Sequence, residues 1–274
     1  MSIRVLAIIN PASGRGNITE YIDEIRKNLE EKDMEVNLKI TKKEYNANHI
    51  VKDNINETDL ILVCGGDGTF NETISALMEL NISDMSIAYI PTGTTNDLAK
   101  SLNMPEKDIS ITKKLLESKA RRLDVGQFNE NKYFCYIAAF GVVTDVAYKT
   151  SHKAKNKYGK FAYYIRALFE LIKIPTYKTK ITFDEEELEG EFVYGGISNS
   201  ESIAGFKWFD KEDVDLSDGK FEALFIRKPK KLSGYFRLIS DFRNKDYMSN
   251  RDFVYFKANK ITVTTAQKVD WTID

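Results

Sequence analysis

Histidine, cysteine and proline are scarce in this 274-residue chain, with two, two and five residues respectively. So few cysteines exclude a disulfide framework and a cysteine-based metal site. Cys64 and Cys135 each lie in an apolar, strand-like run and read as small buried hydrophobes. His49 falls in a polar helical stretch and His152 in a basic one, and neither reads as a general base. An excess of one charge is also missing. Lysine and arginine number 40 against 41 aspartates and glutamates, a net charge of −1, so no global basic field attracts nucleic acid. No uninterrupted apolar run reaches the length of a membrane span, and no hydrophobic leader precedes the first strand, which sets a cytoplasmic expectation. Internal repeats and low-complexity tracts are absent. Neither G-x-G-x-x-G nor G-x-x-x-x-G-K-[ST] occurs, which argues against an NAD-dependent dehydrogenase and a P-loop nucleotide site.

What is present is a globular composition, 42% hydrophobic and 30% charged, with two grammars along the chain. Residues 1–120 alternate strand and helix at α/β spacing, which predicts a parallel sheet with helices on both faces. Ile22, Ile25 and Leu29 recur at helical spacing, Met34 to Ile40 alternate as a half-exposed strand, and helical signals return near residues 47–55, 69–80 and 109–119. From residue 121 to 274 hairpins take over and predict a mainly antiparallel, β-rich second domain. Its strands are expected over 133–140, 177–183, 188–197, 221–226, 254–256, 261–264 and 269–273. An apolar helix, Phe161 to Ile174, ends at Pro175, and a second is expected near 232–243. The cleft between two such halves suits a nucleotide and a second substrate.

Chemistry concentrates in three loops, each after a hydrophobic strand. Leu60 to Val63 leads into Gly65-Gly66-Asp67-Gly68-Thr69, then into a helix with Phe70, Ile74, Leu77 and Met78 on one stripe. Three glycines in four positions let backbone amides approach a phosphate, and the helix dipole favours the same anion. An acid inside that cradle makes sense where Mg²⁺ or a transferring phosphoryl group is to be organised. Asn10-Pro11-Ala12-Ser13-Gly14-Arg15-Gly16 follows the first strand, and Pro91-Thr92-Gly93-Thr94-Thr95-Asn96-Asp97 follows Ser86 to Ile90. Polar loops at the carboxyl ends of parallel strands are where such sheets bind ligands. Asp97 has an ordinary reading beside the functional one, as an acid favoured near a helix N-terminus.

These three motifs, with Asn71-Glu72, resemble the diacylglycerol kinase catalytic domain, and more narrowly the soluble bacterial diacylglycerol and lipid kinases, relatives of sphingosine kinases and distantly of NAD kinases. Arg122-Leu123-Asp124-Val125-Gly126, Tyr158 to Tyr164 and Asp213 to Phe221 extend the resemblance over nearly the whole chain. It implies a two-domain lipid-kinase or NAD-kinase-like architecture that moves the γ-phosphate of ATP, with Mg²⁺, to a lipid hydroxyl, most simply diacylglycerol giving phosphatidic acid. Gly65, Gly66, Gly68 and Thr69 would cradle the phosphates, and Asn10, Ser13, Gly14, Thr41, Glu72 and Thr94 would border the nucleotide. Asp67, Asp97 and Asp124 would form an acid network around the metal. A structural Mg²⁺ is implied on the Asp218 carboxylate and the carbonyls of Asp215 and Lys220; a solvated acidic turn is the equal alternative. The resemblance also implies a lipid partner presented at a membrane surface, peripheral contact with the inner membrane face and a homodimer.

Lys149, Lys153, Lys155, Lys157 and Lys160 make a basic stretch before the aromatic-rich Phe161-Ala162-Tyr163-Tyr164. A solvated loop is the preferred reading; an anionic lipid surface is the other. Arg15 and Arg166 would add positive potential to the cleft. The family's proton acceptor is a glutamate in an Asp-Gly-Glu turn. Trp271-Thr272-Ile273-Asp274 aligns with the strand and aspartate before it, so the expectation is a sequence truncated ahead of that glutamate and of the return to the first domain. Two rivals stay open: another small-molecule kinase, such as one acting on NAD, and a catalytically silent nucleotide-binding regulator.

Overall fold

The computed structural model describes residues 2–13, 18–94, 96–104, 118–141, 175–200, 202–203, 206–207, 214–244 and 250–274. The expected helices at 109–119 and 161–174, and the basic stretch at 149–160, lie outside the described residues, wholly or nearly so. Two compact units emerge. One comprises Met1–Tyr136, Ser200–Phe209 and Asp274; the other comprises Ile137–Asn199 and Asp210–Ile273. The first unit therefore continues past residue 120, because the β5–β6 hairpin (Gly126–Phe128, Lys132–Phe134) packs against α3 (Asp67–Glu79).

Within the first unit, β1 (Arg4–Ile9), β2 (Glu35–Ile40), β3 (Leu60–Gly65) and β4 (Ser86–Pro91) form an all-parallel sheet in the order β2-β1-β3-β4. The inner strands are continuous apolar runs because both faces are covered. Leu6, Ile8, Ile61 and Val63 point to one face, under α2 (Ala47–Asn54) and α3. Val5, Ala7, Leu62 and Cys64 point to the other, under Ile25 and Leu29 of α1 (Ile18–Glu30). Asn46 caps α2 by accepting the His49 amide at 3.3 Å, and the 3₁₀ turn Ile55–Glu57 follows it. A short α4 (Asp97–Ser101) follows β4. The carboxyl ends of these four parallel strands lie at the same sheet edge, which gathers the described parts of the three sequence motifs.

The second unit is a seven-stranded antiparallel sheet, β13-β12-β9-β7-β15 with β8 beside β9 and β14 beside β8. Its strands are β7 (Ile137–Gly141), β8 (Tyr177–Phe183), β9 (Glu186–Ser198), β12 (Phe221–Arg227), β13 (Phe253–Ala258), β14 (Ile261–Thr265) and β15 (Trp271–Ile273); α5 spans Leu232–Asn244. The pair β10 (Ser202–Ile203) and β11 (Phe206–Lys207) belongs to the first unit. Alternation along β12 sends Ala223 and Phe225 into a core with Phe140, Phe183 and Phe192. Phe183 and Phe256 stack at 3.6 Å between centroids. Each such buried ring contributes about 2 kcal/mol from area alone.

One expected strand divides. The apolar run at 133–140 predicts a single strand, yet β6 ends at Phe134 and β7 begins at Ile137. The amides of Cys135 and Tyr136 donate to the Asp274 carboxylate instead, at 2.7 and 3.1 Å, and so leave the ladder.

The same alternation turns Glu222 away from the aromatic core. Its side chain is 0% exposed, with Ser198 and Lys257 opposite it on the neighbouring strands and Lys257 Nζ at 3.5 Å. Burial raises its pKa from 4.5 to about 7, with Lys257 opposing and Asp218 adding repulsion. A folded-state value above the unfolded one means that the folded protein holds the extra proton. Stability is then greatest below the ordinary carboxylate value and falls as pH climbs towards about 7. Glu222→Gln is expected to remove this slope and to stabilise the fold by about 2 kcal/mol at pH 8. Urea denaturation at pH 5 and pH 8 measures it, and an unchanged slope in the variant would count against the assignment.

Candidate active site

The turn after β3 delivers Asp67 as the first residue of α3, behind Gly66, which supplies no side-chain cap. The first amides of that helix are thus left without a capping side chain. Asp67 is held by its neighbour loop: its Oδ2 accepts the amide of Asp97 at 3.1 Å. Its Oδ1 is buried and without a hydrogen-bond partner. Burial pushes the Asp67 carboxyl above its usual range and the Asp97 charge adds to this, while the Asp97 and Leu98 amides and Lys100 oppose it. A desolvated carboxylate with one orphaned oxygen is a ready acceptor for a cation or a strong donor.

Close backbone approach joins the two glycine loops. A Cβ on Gly93 would stand 2.7 Å from Gly66 Cα and 2.5 Å from Asn96 Oδ1. Asn96 adopts the left-handed conformation at φ 48° and donates to the Gly93 carbonyl at 2.9 Å, which turns the chain into α4. This starts α4 with its Asp97 amide facing Asp67. The Asp97 side chain is almost wholly buried; Tyr136 Oη donates to its Oδ2 at 2.6 Å, and Lys100 Nζ lies 3.5 Å from its Oδ1.

The first loop joins the same edge. Asn10 Nδ2 donates to Thr69 Oγ1 at 2.8 Å, and Asn10 Oδ1 accepts the Ala12 amide at 2.9 Å. Ser13 Oγ bonds to the Asn10 carbonyl at 2.8 Å and lies 2.9 Å from Thr92 Oγ1. Thr69 is buried, and a Cβ on Gly65 would collide with its side chain. Gly68 is exposed with nothing near its Cβ direction. Thr94 is exposed on the third loop, and Thr41 follows β2 with its amide on the Ile9 carbonyl at 2.9 Å.

The remaining expected residues have varied surroundings. Glu72 turns to α2, where its Oε2 accepts the Ala47 amide at 3.1 Å and so serves a helix N-terminus. Asp124 is half-buried between Leu123 and Val125, which pack on the core beneath α2 and α3. Asp215 and Asp218 lie on an exposed turn in the other unit. Asp215 Oδ1 accepts the Ser217 amide at 3.0 Å, and Asp218 Oδ1 accepts the Lys220 amide at 2.9 Å across Gly219, whose φ is 75°. Among the described residues no three His, Cys, Asp or Glu side chains gather as a metal cluster. Gly14, Arg15, Thr95, Arg166 and Asp213 lie outside the described residues.

Sequence reasoning passed over Tyr89, Tyr136 and Lys100. The Tyr89 hydroxyl is buried without a partner, and burial first, then the Asp67 charge, pushes its pKa up. Asn71 Oδ1 and Asn96 Oδ1 are likewise orphaned. Lys100 was findable, three residues after Asp97 on one helix face; Tyr136, thirty-nine residues away, was not. Both cysteines are free and buried, and burial pushes the Cys64 thiol up to about 11, so neither is a nucleophile.

Residues 4–128 match the family described as the diacylglycerol kinase catalytic domain. A diacylglycerol kinase of Bacillus subtilis strain 168 is 29% identical over 273 residues, covering 99% of this chain and 89% of the relative. One from Staphylococcus carnosus strain TM300 is 27% identical over 275 residues, with 100% and 89% covered. A crystal structure of a provisionally assigned diacylglycerol kinase from Bacillus anthracis strain Sterne superposes with a TM-score of 0.81 at 26% identity, over 98% of this chain and 89% of that one. Its agreement extends to the parallel α/β sheet and the antiparallel β-rich unit. No helix among the described residues is long and apolar enough to cross a membrane.

Proposed function

Because residues 4–128 match the diacylglycerol kinase catalytic domain and the whole chain is similar to bacterial diacylglycerol kinases, we propose that it transfers the γ-phosphate of ATP to the hydroxyl of diacylglycerol, yielding phosphatidic acid. The observation that carries the reading is Asp67: a desolvated carboxylate with an orphaned oxygen, set at the uncapped start of α3. In it, the amides of Gly66, Gly68 and Thr69 bind the phosphates of the nucleotide, and the Asn10–Thr69 bond fixes the first loop against the helix. Asp97 aims Asp67 through its backbone amide, and Lys100 adds positive charge beside the pair. The Asp67 Oδ1 suits a Mg²⁺ ion, which when bound neutralises charge on the triphosphate. Direct in-line transfer is part of the reading, since no side chain in the sequence stands out as a covalent phosphate carrier.

The α/β unit holds the nucleotide, and the β-rich unit handles a lipid acceptor presented at a membrane surface. The exposed turn carrying Asp215, Asp218 and Lys220 supplies hard oxygen donors for a structural divalent cation.

The test is transfer from γ-labelled ATP to diacylglycerol in mixed micelles, to sphingoid bases and to NAD, with and without Mg²⁺. Label in phosphatidic acid, lost with chelator, is the expected result. Label appearing on NAD alone, independent of detergent, would replace the reading with a soluble-acceptor kinase. ATP binding without transfer to any acceptor would favour a regulator.

A further inference from the structure

Four groups of the first unit form a continuous run of hydrogen bonds that ends on Asp67. Asp274, just after β15 and in the left-handed conformation at φ 40°, uses both carboxylate oxygens on successive amides. Oδ2 accepts from Cys135 N at 2.7 Å and Oδ1 from Tyr136 N at 3.1 Å. Tyr136 is 8% exposed, and its hydroxyl donates to Asp97 Oδ2 at 2.6 Å. Asp97 is 1% exposed, and its amide donates to Asp67 Oδ2 at 3.1 Å.

We infer that Tyr136 and Asp274 are positioning residues for phosphoryl transfer: Asp274 fixes the backbone at Cys135 and Tyr136, the Tyr136 phenol fixes the Asp97 carboxylate, and Asp97 thereby aims Asp67. This rests on the kinase reading of Asp67 given above.

The physical case is one of geometry and burial. An O–H···O⁻ bond of 2.6 Å is in the short, charge-assisted range, and a buried carboxylate loses heavily when such a donor is removed. The other oxygen meets Lys100 Nζ at 3.5 Å, and the Lys100 side chain is 40% exposed, which makes that contact looser and better hydrated. The phenol therefore restrains the rotamer of Asp97 through its Oδ2. A phenol six bonds from its own backbone is placed only as well as that backbone is held. The stretch at residues 135–136 lies in the break between β6 and β7, outside either strand. The paired bonds to Asp274 supply that hold, from a residue 138 positions away from Tyr136. Small displacements at such a position matter, because transfer depends on sub-ångström placement of charge.

Two measurements test the inference. First, protein labelled with [13Cζ]tyrosine gives a signal for Tyr136, identified by its disappearance in the isosteric Tyr136→Phe. Asp97→Asn is expected to move that signal, because the acceptor charge is gone. Asp274→Asn, which replaces one acceptor oxygen by an amide donor, is expected to move it too, although it touches only the backbone. A Tyr136 signal unaffected by Asp274→Asn overturns the inference. Second, steady-state transfer is measured for Tyr136→Phe, Asp274→Asn and the double variant. Each single change is expected to lower kcat about tenfold while KM for ATP stays within about twofold, and the double variant to lose no more than the worse single. Wild-type kcat in Tyr136→Phe, or losses that multiply to about a hundredfold, overturn it. A wild-type protein that phosphorylates none of the acceptors would defeat the kinase reading alone, since the tyrosine signals still decide the coupling.

Discussion

Asp67→Asn is expected to lower phosphoryl transfer about a thousandfold while leaving the fold at least as stable as the parent. Asparagine keeps the shape and an oxygen for the Asp97 amide, but removes the charge that the proposed metal-loaded triphosphate would need. Stability is expected to hold or rise because the parent carboxylate is desolvated and has an unpartnered oxygen. The sign follows from its raised value. A carboxyl that titrates above its unfolded value makes the folded state prefer the proton, so stability declines as pH rises through that interval. The variant lacks this decline. Label transfer from ATP and urea midpoints at pH 5 and pH 8 measure both halves. A rate near the parent's would remove Asp67 from the machinery.

Gly93→Ala is expected to damage fold and activity together. The added methyl would sit 2.7 Å from Gly66 Cα, a backbone atom with no rotamer to change, and 2.5 Å from Asn96 Oδ1. The loops after β3 and β4 must then separate, and the Asn96 bond to the Gly93 carbonyl goes with them. A loss of about 2–3 kcal/mol is expected from the overpacking. Transfer should fall about a hundredfold, because the Asp97 amide that aims Asp67 moves with that loop. Gly68→Ala is the matched control, with open space at its Cβ direction in the first turn of α3. Its denaturation midpoint should stay within about 0.5 kcal/mol of the parent. Equal midpoints for both variants would deny the tight approach of the two loops.

Much of this could be read along the chain. The stripe Phe70, Ile74 and Leu77 predicts α3, and all three are buried in it. Continuous apolar runs predict β1 and β3, and hairpin spacing predicts β8 and β9 nearly to the residue. These signals are local, since the period of burial is written into neighbours a few positions apart. Other features were not legible because their cause lies elsewhere. The break at Cys135 and Tyr136 looks like uninterrupted strand until the Asp274 carboxylate takes both amides. The bond from the Ala47 amide to the Glu72 carboxylate has no local signal either, because it joins residues 25 positions apart.

The order of apolar strands, glycine turns and acidic residues was enough, alone, to specify a parallel α/β unit with polar loops gathered at one sheet edge, because those preferences act within a few residues. Which carboxylate is aimed, which is diverted to a helix end and which tyrosine holds Asp97 was decided only by folding. Those outcomes depend on groups tens to more than a hundred positions apart meeting at hydrogen-bonding distance inside a desolvated core, where one partner's position fixes the next.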